Sequence, residues 1–215
     1  MFSPNGFIRI VRVSVVSAVC LVVGVTLSCT TQSVEPEVIG EGTYPAAVGT
    51  QWIYARYDSV RSSQDTITIT ITSSRPLQNG CMEHTARYKA GDTLRDDTLV
   101  TCGDTATWLS GNGYNSWITE RYVFPLTVGN AWSASFEYDS VWVRQKNLLA
   151  VPAGEFYKTY QLERIMFFLN YSLVDRIWVA PGYGVIQKHV RRSWIEPDFR
   201  EQNDVWTLID YTIAE

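Results

Sequence analysis

A nine-residue phrase occurs twice in this chain of 215 residues, and a duplication constrains the fold more than any single motif does. Tyr44-Pro45-Ala46-Ala47-Val48-Gly49-Thr50-Gln51-Trp52 returns as Phe124-Pro125-Leu126-Thr127-Val128-Gly129-Asn130-Ala131-Trp132, an aromatic-Pro-x-x-Val-Gly-x-x-Trp pattern. A tag follows each copy, Tyr57-Asp58-Ser59-Val60 and then Tyr138-Asp139-Ser140-Val141. The phrase recurs at an offset of 80 (44 to 124) and the tag at 81 (57 to 138), so two related halves are expected, about residues 43–122 and 123–215. Pro45 and Pro125 fix φ, Gly49 and Gly129 reach backbone conformations closed to other residues, and Trp52 and Trp132 open the strands that follow. The phrase therefore reads as an architectural loop that starts a strand.

The rest of the chain is written in period two. Thr66-Ile67-Thr68-Ile69-Thr70-Ile71-Thr72 alternates strictly, which predicts a half-buried strand with its isoleucines on one face. Cys81–Ala90 and Thr93–Cys102 flank Gly91-Asp92, a two-residue hairpin turn. Pairing about that turn sets Ala90 opposite Thr93 and Cys81 opposite Cys102, which predicts a disulfide across the open end of the hairpin. A long strand is expected from Trp132 to about Gln145, with Phe136, Tyr138 and Trp142 on one side and Glu137 and Asp139 on the other. Another runs from Phe156 to Phe168 with Tyr160, Leu162 and Met166 in phase, and Val205, Thr207, Ile209, Tyr211 and Ile213 form a last one. Ile165-Met166-Phe167-Phe168-Leu169 breaks the alternation, so both its faces must be covered or an apolar patch stays outside. No stretch of ten or more residues has helical period. About twelve strands joined by Gly, Pro and Asn turns make an all-β antiparallel domain, which the alternation alone leaves open between a half-barrel and a β-sandwich.

The first 28 residues have the form of a secretory signal: Arg9 and Arg12, an apolar run over 13–27 of about 15 residues where a span needs about 20, and a small residue, Ser28, before Cys29. Thr26-Leu27-Ser28-Cys29 resembles the lipobox of bacterial lipoproteins, with Thr26 where leucine is usual. That resemblance implies cleavage before Cys29 and lipid on its sulfur, so that the chain is anchored to a membrane and does not span it. Residues 29–42 read as a lipidated, flexible tether carrying Glu35-Pro36-Glu37, and 43–215 as a single all-β domain. Loss of the signal leaves 187 residues (215 − 28) with a formal charge of −6 (16 − 22), a balance that offers nothing to a phosphate backbone, and nucleic acid is excluded as a partner. Thr30 is not the aspartate associated with inner-membrane retention in enteric lipoproteins, which points to the outer membrane, facing the periplasm or the cell surface.

The same residues offer no catalytic constellation. His84 and His189 are the two histidines; they lie in different halves among charged strand neighbours, and a solvated position is expected for each. No Gly-x-Ser-x-Gly elbow surrounds Ser116 or any other serine. Asp92-Thr93-Leu94-Arg95-Asp96-Asp97 lacks calcium-loop spacing, zinc lacks ligands, and the Gly-x-Gly pairs at 111 and 182 lack the third glycine of a phosphate cradle. No metal or cofactor is expected.

Pro-x-x-Val-Gly-x-x-Trp, the turn Val151-Pro152-Ala153-Gly154-Glu155-Phe156 and the hairpin Trp178-Val179-Ala180-Pro181-Gly182-Tyr183-Gly184-Val185 resemble the TapB-like class of bacterial envelope lipoproteins over roughly residues 44–190. The resemblance implies a curved sheet or half-barrel and brings no catalytic residues. The function expected is that of a non-enzymatic, lipid-anchored envelope protein binding an apolar ligand, such as lipid, or a protein partner on an aromatic face of Phe136, Tyr138, Trp142, Tyr160 and Met166. A structural or assembly component that binds only envelope proteins, through sheet edges or the run 165–169, is the second reading. A hydrolase is the third, and it requires two acids such as Glu163, Asp175 or Glu196 to converge in a cleft.

Overall fold

The structure, a computed structural model, describes residues 42–110, 117–134, 139–168, 171–194 and 200–214, the side chains of Trp117, Phe168 and Arg200 excepted. Cys29, Phe136, Tyr138 and Glu196 lie outside the described residues. The first half supplies β1 (Gln51–Asp58), β2 (Ser63–Pro76), β3 (Met82–Ala90), β4 (Thr93–Cys102), β5 (Thr105–Ser110) and β6 (Trp117–Val123). The second supplies β7 (Ala131–Ser133), β8 (Asp139–Val151), β9 (Gly154–Phe168), β10 (Tyr171–Ala180), β11 (Gly184–Trp194) and β12 (Arg200–Thr212). All twelve form one antiparallel sheet in the order β6-β5-β4-β3-β2-β1-β12-β11-β10-β9-β8-β7, and no helix occurs among the described residues. The sheet curls into a nearly closed barrel, so that side chains of β11 and β9 reach β6, seven and nine places away in the hydrogen-bonded order. The half-barrel alternative holds and the sandwich does not.

The two copies of the phrase fold alike. Gly49 and Gly129 take φ of 98° and 95°, where a side chain would be strained. Each glycine donates its N–H to a carbonyl of the following long strand, Ile71 or Val143, at 2.9 Å. Each of those residues returns an N–H, to Thr50 or Asn130, at 2.9 Å. A third bond of 3.0 Å closes each turn, Thr50 to Ala47 and Asn130 to Thr127. The indoles differ in depth: Trp52 is 1% exposed and donates to the Tyr183 carbonyl at 2.7 Å, whereas Trp132 is half-buried and donates to the Arg121 carbonyl at 2.9 Å. Each thus reaches from its own half into the other.

The core follows the alternation. Ile67 and Ile71 of β2 are buried and Ile69 packs against them, with the threonines on the opposite face. Tyr44 stacks on Tyr122 at 5.4 Å and meets Trp108 edge-on at 6.1 Å, beside Trp52. Gly184, at φ 91°, lies under this cluster: a Cβ there would stand 3.1 Å from Trp52 Nε1 and 3.3 Å from the Tyr44 hydroxyl. In the β3–β4 hairpin Ala90 faces Thr93 and Met82 faces Thr101, and Cys81 and Cys102 close its open end with their sulfurs 1.97 Å apart. A cross-link over a sequence separation of 21 restricts the unfolded chain by about 3 kcal/mol.

Three expectations are corrected. The strand expected from Trp132 to Gln145 is two: β7 turns back and pairs with β8, Ala131 facing Trp142. The intervening residues hold neither Gly nor Pro, so the turn has no signature in the sequence. The tags are consequently not equivalent, for Asp58 ends β1 whereas Asp139 begins β8. The phrase bonds instead align Val143 with Ile71, which places Asp139 and Val141 where the first half has Ile67 and Ile69. In β12 the inward positions are Asp204 and Leu208, not Val205, Thr207 and Ile209. A bulge between Ile53 and Tyr54 shifts the β1–β12 register, so inward parity changes along one strand.

Candidate functional site

Alternation that places apolar side chains inside also carries charged ones there where the even or odd partner is polar. Asp139 is fully buried, and Arg164 grips it with Nε at 2.8 Å from Oδ1 and a terminal nitrogen at 2.6 Å from Oδ2. Lys188 of β11 pairs with Glu120 of β6, which also accepts from the Tyr122 hydroxyl. Arg192 stands 3.8 Å from Asp175. The first two pairs each set one positive charge against one negative, which is the condition for keeping charge in a low-dielectric interior. Burial works against ionised Glu120, but the Lys188 charge and hydrogen bond outweigh it and hold the carboxyl below its usual range.

Two of these pairs, those of Arg164 and Lys188, reach β6 at the unzipped junction of the barrel. The two like-folded phrases lead into β1 and β7, which makes β6–β7 the counterpart of β12–β1; β1 and β12 are hydrogen-bonded along their length, whereas β6 and β7 are the two ends of the sheet. Arg164 donates a further bond to the Thr119 carbonyl, and Trp132 donates to that of Arg121. Side chains thus occupy backbone acceptors of β6, an edge that would otherwise invite another strand.

Asp175 is not satisfied inside. Its side chain is 0% exposed, and neither carboxylate oxygen receives a hydrogen bond. Burial first, then the Glu120 charge, raise its pKa, against the pull of Lys188, Arg192 and Arg164. An acid whose folded pKa lies above its unfolded value takes up a proton on folding between the two, so stability falls as pH rises through the folded pKa. Asp175→Asn is therefore expected to unfold at a higher temperature than the parent at pH 7 and to lack that decline. Thermal unfolding between pH 4 and pH 8 measures it, and a variant less stable than the parent at pH 7 would contradict the assignment.

The outer face carries a groove of about 530 Å³ over β10, β11 and β12, bordered by Ser172, Arg176, His189, Arg191, Glu201 and Asn203. These alternate with inward Leu173, Asp175, Ile177 and Val190. Ser172 and Ser193 hydroxyls join across it at 2.7 Å, and Trp178 lies edge-on to His189 at 4.8 Å. Phe167, directly opposite Ser172, is 63% exposed, so the apolar run 165–169 does leave a hydrophobic side chain outside.

The expected aromatic face is not one face. Odd residues of β8 point inward, Asp139, Val141 and Val143, which turns Trp142 outward beneath the Arg144 guanidinium at 5.1 Å. Tyr160 and Met166 share the inward side of β9 with Leu162, Tyr160 packing against the core. Tyr160 also borders a cleft of about 400 Å³ with Pro125, Leu126, Lys146 and Pro181, the Lys146 ammonium 5.4 Å from its ring. His84 is buried, not solvated as expected: it lies opposite Leu99 on the inward side, with Ser74 Oγ 2.7 Å from Nδ1 and Thr101 Oγ1 3.0 Å from Nε2, and burial lowers its pKa. His189 is half-buried. The acids do not converge, since Glu163 pairs outward with Arg144 at 2.9 Å while Asp175 points inward. No group of three metal-ligating side chains occurs among the described residues.

Neither a protein-family model nor a curated protein matches the chain. Among solved structures, a Bacteroides fragilis protein described as exported, with a YmcC-like fold, superposes with a TM-score of 0.51 at 12% identity, covering 79% of this chain and 98% of its own. A Parabacteroides distasonis protein described as a lipoprotein gives 0.49 at 11% identity over 79% and 97%. At such identity the first likeness establishes the shared all-β architecture alone.

Proposed function

We propose that the chain is an exported envelope lipoprotein of the TapB-like class, held by lipid on Cys29 in the outer membrane, and that its outer β9–β12 face docks a protein without catalysing a reaction. The signal, the lipobox and the description of the Bacteroides fragilis protein as exported support the envelope part. The observation that carries the docking part is Phe167, 63% exposed beside a polar groove. An aromatic side chain left in water next to hydrogen-bonding groups is the composition of an interface anchor. A protein fits better than an apolar ligand, because Tyr160 and Met166 turn inward and Trp142 turns away from them.

A photo-crosslinking residue at position 167, in the full chain made in its own cells, is expected to give one protein adduct of reproducible mass. The same residue at Tyr157, 51% exposed on the same strand, is expected to give none. Adducts with lipid alone, or none, would remove the docking reading. Mass spectrometry of the mature N-terminus tests the anchor separately, and a first residue other than acylated Cys29 would refute it.

A further inference from the structure

We infer that the outer groove binds an acidic, extended segment of the docked protein through Arg176 and Arg191, with Phe167 as the neighbouring apolar anchor; this rests on the docking reading above. Arg176 faces His189 across β10 and β11, and Arg191 lies two residues further along, facing Val174. The two arginines are diagonal neighbours on one face, their backbones about 7–8 Å apart. Both are exposed and neither forms an ion pair among the described residues; Glu163, opposite Arg176 on β9, is paired with Arg144. Among the other described arginines, Arg56, Arg61, Arg75, Arg87, Arg95, Arg144, Arg164 and Arg192 each pair with an acid, and Arg121, which does not, is not exposed.

The groove has its own charge. Among its described lining residues Arg176 and Arg191 against Glu201 leave +1 (2 − 1), on a chain whose formal charge is −4. His189 adds nothing at neutral pH, because burial, and then Arg176, lower its pKa. A guanidinium presents parallel donors that match a carboxylate bidentately, and the Ser172 and Ser193 hydroxyls and the Asn203 amide supply neutral partners around it. Spacing selects the form of the ligand. In an extended chain, side chains on one face recur every second residue, about 6.6 Å apart, close to the diagonal separation of the two arginines. Two acids spaced i and i+2 therefore meet both arginines at once, whereas a single phosphate would engage them only by drawing both side chains together. An aromatic residue beyond those acids would reach Phe167.

Fluorescence anisotropy on the mature full-length chain tests this, with a dye-labelled peptide in which glutamates alternate with serines and a phenylalanine follows. Arg176→Gln and Arg191→Gln are each expected to weaken its binding about tenfold, the loss of one charge-assisted pair. Arg87→Gln, on an exposed arginine paired with Asp96 at 3.0 Å, is expected to change it less than about twofold. Absence of peptide binding, or binding indifferent to both groove variants, overturns the inference. So does stronger Arg-dependent binding of inorganic phosphate or of phosphatidylglycerol vesicles, which would identify an anion or headgroup as the ligand. If the adduct at 167 persists while both groove variants bind the peptide normally, the docking reading stands and the acidic segment falls. If the adduct is absent while peptide binding remains Arg-dependent, the anion-binding groove stands and the docking reading falls.

Discussion

Arg164→Ala lowers the free energy of unfolding by about 3–5 kcal/mol, the usual consequence of removing one partner from a buried pair. Three contacts go at once: two bonds to the fully buried Asp139 carboxylate and one to the Thr119 carbonyl on the edge of β6. The remaining cost is chiefly that of an ion without its counterion, so the pair itself is dispensable where the single partner is not. In the first half the equivalent positions hold Ile67 and Tyr88, both buried, in the same diagonal relation. The double variant Asp139→Ile with Arg164→Leu is accordingly expected to regain at least half of the loss. Urea denaturation with a constant dependence on denaturant measures both. A single-variant loss below about 1 kcal/mol would refute the account.

Trp52→Ala is expected to cost about 3–5 kcal/mol, and Trp132→Ala clearly less. Trp52 is 1% exposed, touches Tyr44 and Trp108, and its indole N–H holds the Tyr183 carbonyl at 2.7 Å. Truncation opens a cavity under Gly184 that the surrounding rings cannot fill, and removes the donor to the β10–β11 turn. Trp132 makes the corresponding bond from a half-buried site on a three-residue edge strand, where water can replace it. Equal losses would mean that the two copies of the phrase carry equal load despite their different depth.

Local patterns were legible where residues act through their own strand or turn. Ile67 and Ile71, the hairpin register about Gly91-Asp92 and the phrase glycines all behave as read, because period two and positive φ are properties of a few consecutive residues. What the residues could not disclose depends on partners distant in the chain. Asp139 reads as an outward polar position until Arg164, 25 residues on, is seen to neutralise it. Lys188 needs Glu120, separated from it by 68 positions. The inward side of β12 changes at a bulge where Ile209 has no partner on β1, a place that only the pairing of the two strands reveals. The aromatic face divided for the same reason: assigning Asp139 to the outside put Trp142 on the same side as Tyr160 and Met166. The outer groove was not anticipated, and its signal, two exposed arginines outside any ion pair because the one acid facing them, Glu163, is held by Arg144, emerges only once four strands are set side by side.

The order of the strands bears on where the polypeptide begins. β1 and β12 are neighbours in the middle of the sheet, with Gln51 facing Thr212, so the first and last strands adjoin while the sheet's two edges belong to residues from the middle of the sequence. Linking the present ends and cutting the chain in the 124–130 loop would give a circular permutant running β7 to β12 and then β1 to β6. In that permutant each strand would pair with the next in sequence, from one edge to the other. The natural chain is therefore a simple meander rotated by half its length, and the β12–β1 pairing is the one long-range ladder that this rotation creates.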